Sequence, residues 1–268
     1  TTLQDPAGRS VRFNYIHEAI ITFGRGGERY GQSLTESLSS MRRQSFYKQY
    51  IQKPVLESIK GDNLHVYFRR SSLRRQDMPD YQDGSRSLDT LIVKTPGNQE
   101  LKSFLFKYGY FISSLYSAAN MLNISMHGEE ARKRLYLQSI TEKTSTDSLP
   151  AYEFTYNGTE LPSRLSSSQD YWGYYNGKTN GPYMMPRNPG APFNIFDQGG
   201  YERNKILPGY GFNFSLGSDR RVDTVYSQAR ILTKIKFSTG GTTEYSYEQN
   251  NASTSYLNIY GGVEPPDM

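Results

Sequence analysis

One pattern recurs four times along this chain and restricts what it can fold into: an aliphatic strand, a turn, then an aromatic strand, with side chains alternating in period two. Leu56-Glu57-Ser58-Ile59 runs through Lys60-Gly61-Asp62-Asn63 into Leu64-His65-Val66-Tyr67-Phe68. Leu88–Val93 runs through Thr95-Pro96-Gly97-Asn98 into Leu101–Phe111. Leu135–Ile140 precedes Tyr152–Tyr156, and Leu232–Phe237 runs through Ser238-Thr239-Gly240-Gly241 into Tyr245 and Tyr247. Gly, Pro, Asn and Asp occupy the turns, where a positive or fixed φ is required. A lone hairpin is marginal in water, so four of them must lie side by side. The expected fold is all-β: extended antiparallel hairpin repeats in a curled sheet, a sandwich or an open barrel.

Composition agrees. A mean hydropathy of -0.71 would suit a disordered chain, but 23 Tyr, 13 Phe and 1 Trp make 14% aromatic residues, and disordered chains are poor in aromatics. Tyrosine carries an apolar ring with a polar tip and suits half-buried sheet faces. No apolar run approaches the ~18 residues of a membrane helix. The absence of cysteine excludes disulfides and thiolate chemistry. Three scattered histidines (His17, His65, His127) argue against a histidine metal site, and no cofactor is called for. The opening Thr1-Thr2-Leu3 reads as that of a processed or trimmed piece.

The organisation reads as one β-rich domain over 1–268. Degenerate hairpins occupy 1–157, a long aromatic loop insert rich in Gly, Asn and Pro occupies 158–219, and a final hairpin and C-terminal strand occupy 220–268. Two stretches carry helical spacing: Ser33–Tyr50, with Leu34, Leu38 and Met41 on one face, and Met126–Leu135.

Asp5-Pro6-Ala7-Gly8-Arg9 followed by Phe13-Asn14-Tyr15 resembles the DxxGR…YxY unit of YD-repeat (Rhs-type) proteins. Gly240-Gly241-Thr242-Thr243-Glu244-Tyr245-Ser246-Tyr247-Glu248 is similar to the other half of that unit, with Glu in place of Asp. Leu161-Pro162-Ser163-Arg164 through Gln169-Asp170-Tyr171-Trp172-Gly173-Tyr174-Tyr175-Asn176-Gly177, then Gly217-Ser218-Asp219-Arg220, resembles a segment that lies at or just ahead of the repeats in bacterial exported and cell-surface members. The resemblance implies a β-rich scaffold segment, extracellular or at the cell surface, whose partners are neighbouring repeats of a longer parent polypeptide.

Four features carry candidate chemistry. Gly24-Arg25-Gly26-Gly27-Glu28-Arg29-Tyr30-Gly31 is glycine-rich like a phosphate loop, but no Lys-Ser/Thr follows, so a surface loop is expected. Arg69-Arg70-Ser71-Ser72-Leu73-Arg74-Arg75 is basic, yet Asp77, Asp80 and Asp83 follow and the net charge is only +5. A solvated strand edge is expected there and no nucleic-acid partner. Glu160, Asp170, Asp197, Glu202 and Asp219 are the carboxylates from which a glycosidase pair would be drawn, with Asp170 expected as a turn cap instead.

The fourth feature is the aromatic insert itself: Tyr171, Trp172, Tyr174, Tyr175, Tyr183, Phe193, Phe196, Tyr201, Tyr210, Phe212 and Phe214. Rings interleaved with amides and carboxylates suit sugars, making Asp170, Tyr171, Trp172, Tyr174, Tyr175 and Asn176 the candidate ligand-binding residues. The competing expectation is a mini-core with Trp172 as its plug, because a loop without aliphatics needs rings to bury enough area. The function expected is therefore non-enzymatic: a structural or ligand-presenting segment, with a carbohydrate-binding module as the alternative and a glycan-active hydrolase after it.

Overall fold

The computed structural model of the chain describes residues 1–30, 42–78, 84–114, 129–144, 146–180 and 219–248. They form ten strands: β1 (Thr2–Gln4), β2 (Ser10–Tyr30), β3 (Arg42–Gly61), β4 (His65–Arg70), β5 (Leu88–Lys94), β6 (Glu100–Ile112), β7 (Lys133–Thr144), β8 (Tyr152–Tyr156), β9 (Leu232–Lys236) and β10 (Thr242–Glu244). All ten belong to one antiparallel sheet whose spatial order is the chain order. The sheet is a pure meander that does not close into a barrel, and among the described residues no second sheet packs on it as in a sandwich. Register shifts at Asn14/Tyr15, Arg69/Arg70 and Lys107/Tyr108, among others, insert extra residues. Such bulges bend and twist a strand, and so curl the sheet.

Three of the four aliphatic–aromatic pairs are ladder neighbours, as β3–β4, β5–β6 and β7–β8; in the fourth, β10 is Thr242–Glu244 and the tyrosines follow it, Tyr245 N–H donating to the Thr233 carbonyl at 2.9 Å. Two share a further device: the Tyr156 hydroxyl donates to the carbonyl of Leu137 and the Tyr247 hydroxyl to that of Leu232, each a leucine of the preceding strand. The turns close as their residues require. Asn98 has φ 68° and Gly240 φ 90°, and the Asp5–Arg9 turn is closed by Arg9 N–H donating to the Asp5 carboxylate at 2.9 Å around Gly8 at φ 85°.

Register gives the sheet two unlike faces. Phe13, Ile59, Val66 and Val93 make one continuous apolar row across β2–β5, and Phe68, Leu91 and Phe104 make the next. All are half-buried. Among the described residues the buried apolar side chains are few, Ile20, Ile21, Ala131, Pro162 and Ala229, and buried polar ones outnumber them. The tyrosines divide: Tyr67, Tyr108, Tyr110, Tyr136, Tyr152 and Tyr156 are half-buried on the sheet, whereas Tyr15, Tyr47 and Tyr50 are exposed, and there is little conventional core among the described residues.

Three sequence expectations are corrected. Residues 42–50 belong to β3, paired along β2, and not to a helix; Leu34, Leu38 and Met41 lie outside the described residues. In Met126–Leu135 the helical content is a single 3₁₀ turn, Glu129–Arg132, after which β7 begins; 126–128 lie outside the described residues. Cross-strand pairing outweighs helical spacing in both places. The glycine-rich 24–30 is strand, not loop.

Glycine survives inside these strands because a ring from the neighbouring strand lies over it. A Cβ on Gly24 would sit 2.2 Å from the ring of Tyr47, its ladder partner, and one on Gly109 2.7 Å from Tyr136. Tyr136 cannot swing away freely, since it stacks on Phe111 at 4.0 Å and meets Tyr156 edge-on at 5.4 Å. Gly109→Ala is therefore expected to cost about 1–3 kcal/mol by overpacking, measured by urea unfolding; an unchanged midpoint would contradict the ring-over-glycine account.

The basic cluster is likewise not an edge. β4 is an interior strand. Arg70 reaches the buried Glu18 carboxylate, which also accepts the Arg86 N–H at 2.9 Å and lies 3.6 Å from Lys53 Nζ. Arg75 is committed to Asp77. Only part of the cluster's charge is left to face solvent.

Candidate functional site

The chain leaves the sheet after Tyr156 and returns at Leu232 to pair with the strand it left. The described parts of this excursion, 157–180 and 219–231, are held by polar contacts. Arg164 N–H donates to the carbonyl of Ala131, and the Arg164 guanidinium reaches Asp77 at 2.6 Å. Ser114 donates from both its backbone N–H and its hydroxyl to Glu160.

At its centre is a tight turn, Asp170–Tyr174. Asp170 N–H donates to the Tyr174 carbonyl at 2.8 Å. The Asp170 carboxylate accepts the N–H groups of Trp172 at 2.8 Å and Tyr174 at 2.9 Å, which is the capping role expected of it. Gly173, at φ 93°, makes the reversal. Below the turn Asn176 and Asn180 clamp a segment some 40 residues further on. Asn176 Nδ2 donates to the carbonyls of Asp219 at 2.8 Å and Arg221 at 3.1 Å. Asn180 Nδ2 donates to Ser167 and Asp219 carbonyls, and its Oδ1 accepts Asp219 N–H at 2.8 Å. Ser166, Ser167 and Ser168 are buried with them.

The six candidate residues therefore separate into two groups. Asp170 (1% exposed) and Asn176 (0%) are buried and build the platform. Tyr171 (56%), Trp172 (68%) and Tyr174 (55%) project from it into solvent. Tyr175 lies between, half-buried and edge-on to Tyr226 at 5.2 Å, and burial raises its hydroxyl above the ordinary tyrosine pKa. The expectation of Trp172 as a buried plug is overturned: backbone-directed amides and a carboxylate replace rings as the filling, which frees the rings for the surface. Arg220 sits 5.0 Å over the ring of Tyr171 and also donates to the Asp170 carbonyl, fixing the ring's base. Tyr183, Phe193, Phe196, Tyr201, Tyr210, Phe212 and Phe214 lie outside the described residues, as do Asp197 and Glu202.

The remaining carboxylates are each engaged. Glu160 holds Ser114. Asp219 is held below the usual carboxylate range, chiefly by its hydrogen bond from Arg221, a shift opposite to that of a general acid. Among the described residues no group of His, Asp or Glu is arranged to hold a metal, and no helix is long and apolar enough to cross a membrane.

Asn180 and the serines were missed by sequence reasoning. Their partners are distant in the chain, and a lone Asn in a polar loop carries no local mark of burial. Compared with known proteins, the chain matches no family model, no curated protein and no solved structure.

Proposed function

We propose that this chain is a non-enzymatic, ligand-presenting β-scaffold of an exported protein organised like the YD-repeat (Rhs-type) polypeptides, with Tyr171, Trp172 and Tyr174 as the presented surface. The observation that carries this reading is the pairing of three exposed rings with a buried, hydrogen-bonded base at Asp170. Exposed large rings are costly to leave in water and cluster where a partner covers them. A fixed turn presents them with little ordering entropy to lose on binding. The meander supports the scaffold half: in a sheet whose spatial order is its chain order, further hairpins add at an outer edge without rethreading.

The second reading, a carbohydrate-binding surface, is favoured by one specific feature. Trp172 stands beside two tyrosines on one turn, so ring faces are offered to the C–H faces of a sugar.

Trp172 is the sole tryptophan, so indole emission, excited to the red of the 23 tyrosines, reports on this surface alone. The emission is expected to be that of a water-exposed indole, freely quenched by acrylamide. Neutral oligosaccharides are expected to shift it to the blue if sugars are the ligand. Trp172→Ala should remove any such binding while changing stability by less than about 0.5 kcal/mol. A buried, unquenched indole would sink the presenting surface altogether.

A further inference from the structure

The polar face of the sheet carries a second feature, remote from the aromatic turn. Along one rung the ladder partners are Arg12, Lys60, His65 and Lys94, contributed by β2, β3, β4 and β5 in turn. With strands ~4.8 Å apart the row spans about 14 Å. Arg69, two positions along β4 from Tyr67, shares the face. Lys60, Arg69 and Lys94 surround the Tyr67 ring at 5.8, 5.6 and 5.9 Å.

Arg12 and Lys60 are like charges directly opposite one another, an arrangement that destabilises a sheet, and none of Arg12, Lys60, Arg69 and Lys94 lies in an ion pair among the described residues. Lys94 donates only to the Asn98 side chain, at 3.1 Å. The row ends opposite Glu100 on β6. Arg12, Asn14, Lys60, Tyr67 and Arg69 line a shallow groove of about 450 Å³, in which Glu57 is the one carboxylate. With Glu100 opposing only the Lys94 end, the Arg12–Lys60 opposition is accounted for when an anion completes the row.

We infer that this face binds a linear anionic polysaccharide, its carboxylate or sulfate groups laid across the rung of cations. Charge complementarity identifies the anion, and the aromatic geometry selects the polymer. Single-stranded nucleic acid is gripped by rings on which bases stack, but here Tyr67 is ringed by cations and His65 stands edge-on to it at 6.4 Å. A duplex is read by a helix or a two-stranded ribbon entering a groove, whereas these are interior strands of a broad sheet. A charged sugar chain needs neither: it takes cations at strand spacing, and polar tips such as Asn14 and the Tyr67 hydroxyl for its own hydroxyls.

The test titrates the full chain with sodium polygalacturonate and with a single-stranded oligonucleotide of equal charge, starting at about 50 mM NaCl. Polygalacturonate is expected to bind more tightly than the oligonucleotide. Lys60→Gln/Lys94→Gln is expected to weaken it about tenfold and flatten the dependence of log K on log salt by roughly 2. Lys143→Gln/Lys236→Gln, which removes equal charge from β7 and β9, should change it less than about twofold. Because Lys60→Gln relieves the opposition to Arg12 and so offsets the loss of Lys94 opposite Glu100, the urea midpoint of the first variant should hold or rise. No binding by the parent chain, equal loss in the two variants, tighter oligonucleotide binding, or a lowered midpoint in the Lys60/Lys94 variant would each overturn the inference. Trp172 emission should not respond to polygalacturonate, which separates this face from the aromatic turn.

Discussion

Asp77→Ala is expected to lower stability by about 3–5 kcal/mol, since breaking one side of a buried charge network leaves the other side uncompensated. The Asp77 side chain is fully buried. It accepts from Arg75 Nε at 2.9 Å and Nη2 at 2.8 Å, from Arg164 at 2.6 Å and from Leu135 N–H at 3.1 Å. One carboxylate thus ties the β4–β5 loop, the start of β7 and the aromatic excursion together. Arg134 adds to the charge left behind: burial, with Arg164 nearby, pushes it down to about 10. Burial by itself would raise the Asp77 carboxyl, but the Arg75 and Leu135 hydrogen bonds and the charges of Arg75 and Arg164 outweigh it, and its pKa is lowered. With the folded value below the unfolded one, the unfolded state binds the proton more readily. The stabilisation is complete above the ordinary carboxylate range and is lost as pH falls through the folded value. Equilibrium unfolding between about pH 7 and pH 3 should therefore show a loss in the parent chain that is smaller in Asp77→Asn. Parallel curves would remove Asp77 from its keystone role.

Asn176→Ala is the second large effect, expected at about 2–4 kcal/mol. It deletes two donors to the carbonyls of Asp219 and Arg221 and an acceptor for Lys178 N–H at 3.3 Å. The Arg221 carbonyl then loses its side-chain partner, and the Asp219 carbonyl is left with Asn180 alone. The readout is double: the urea midpoint, and the Trp172 emission. The turn should loosen and any ligand response weaken, although Asn176 touches no ligand. A variant as stable as the parent would mean that the excursion is held elsewhere.

The alternating strands were legible because period-two patterning is local: β4, β5, β6, β8 and β9 coincide closely with the segments read from it. The distal half of the β2–β3 ribbon was not, since Gly24 and Gly26 have poor strand propensity and their support, Tyr47 and Ser45, appears only once the register is known. Gly177 is similar. At φ 67° it looks like a turn residue, but a Cβ there would also meet the Tyr226 ring at 2.1 Å, a partner 49 positions away that no local pattern discloses. At the candidate site the residue types were found and Asp170 was given its capping role, but the inside was exchanged for the outside at Trp172. A count of ring area could not anticipate that Asn176 and Asn180 would fill the base by bonding backbone some 40 residues away.

The return of the chain at Leu232 to the side of Tyr156 has a kinetic consequence. Every other junction in the sheet joins strands closer together in sequence, so most rungs can zip from a nearby reversal. The β8–β9 seam must instead wait for the whole intervening excursion to double back, at about 2 kcal/mol more chain entropy than a tight reversal requires. The last two strands are accordingly expected to dock after the remainder and to detach before it, which earlier amide exchange along β9 than along β6 would report.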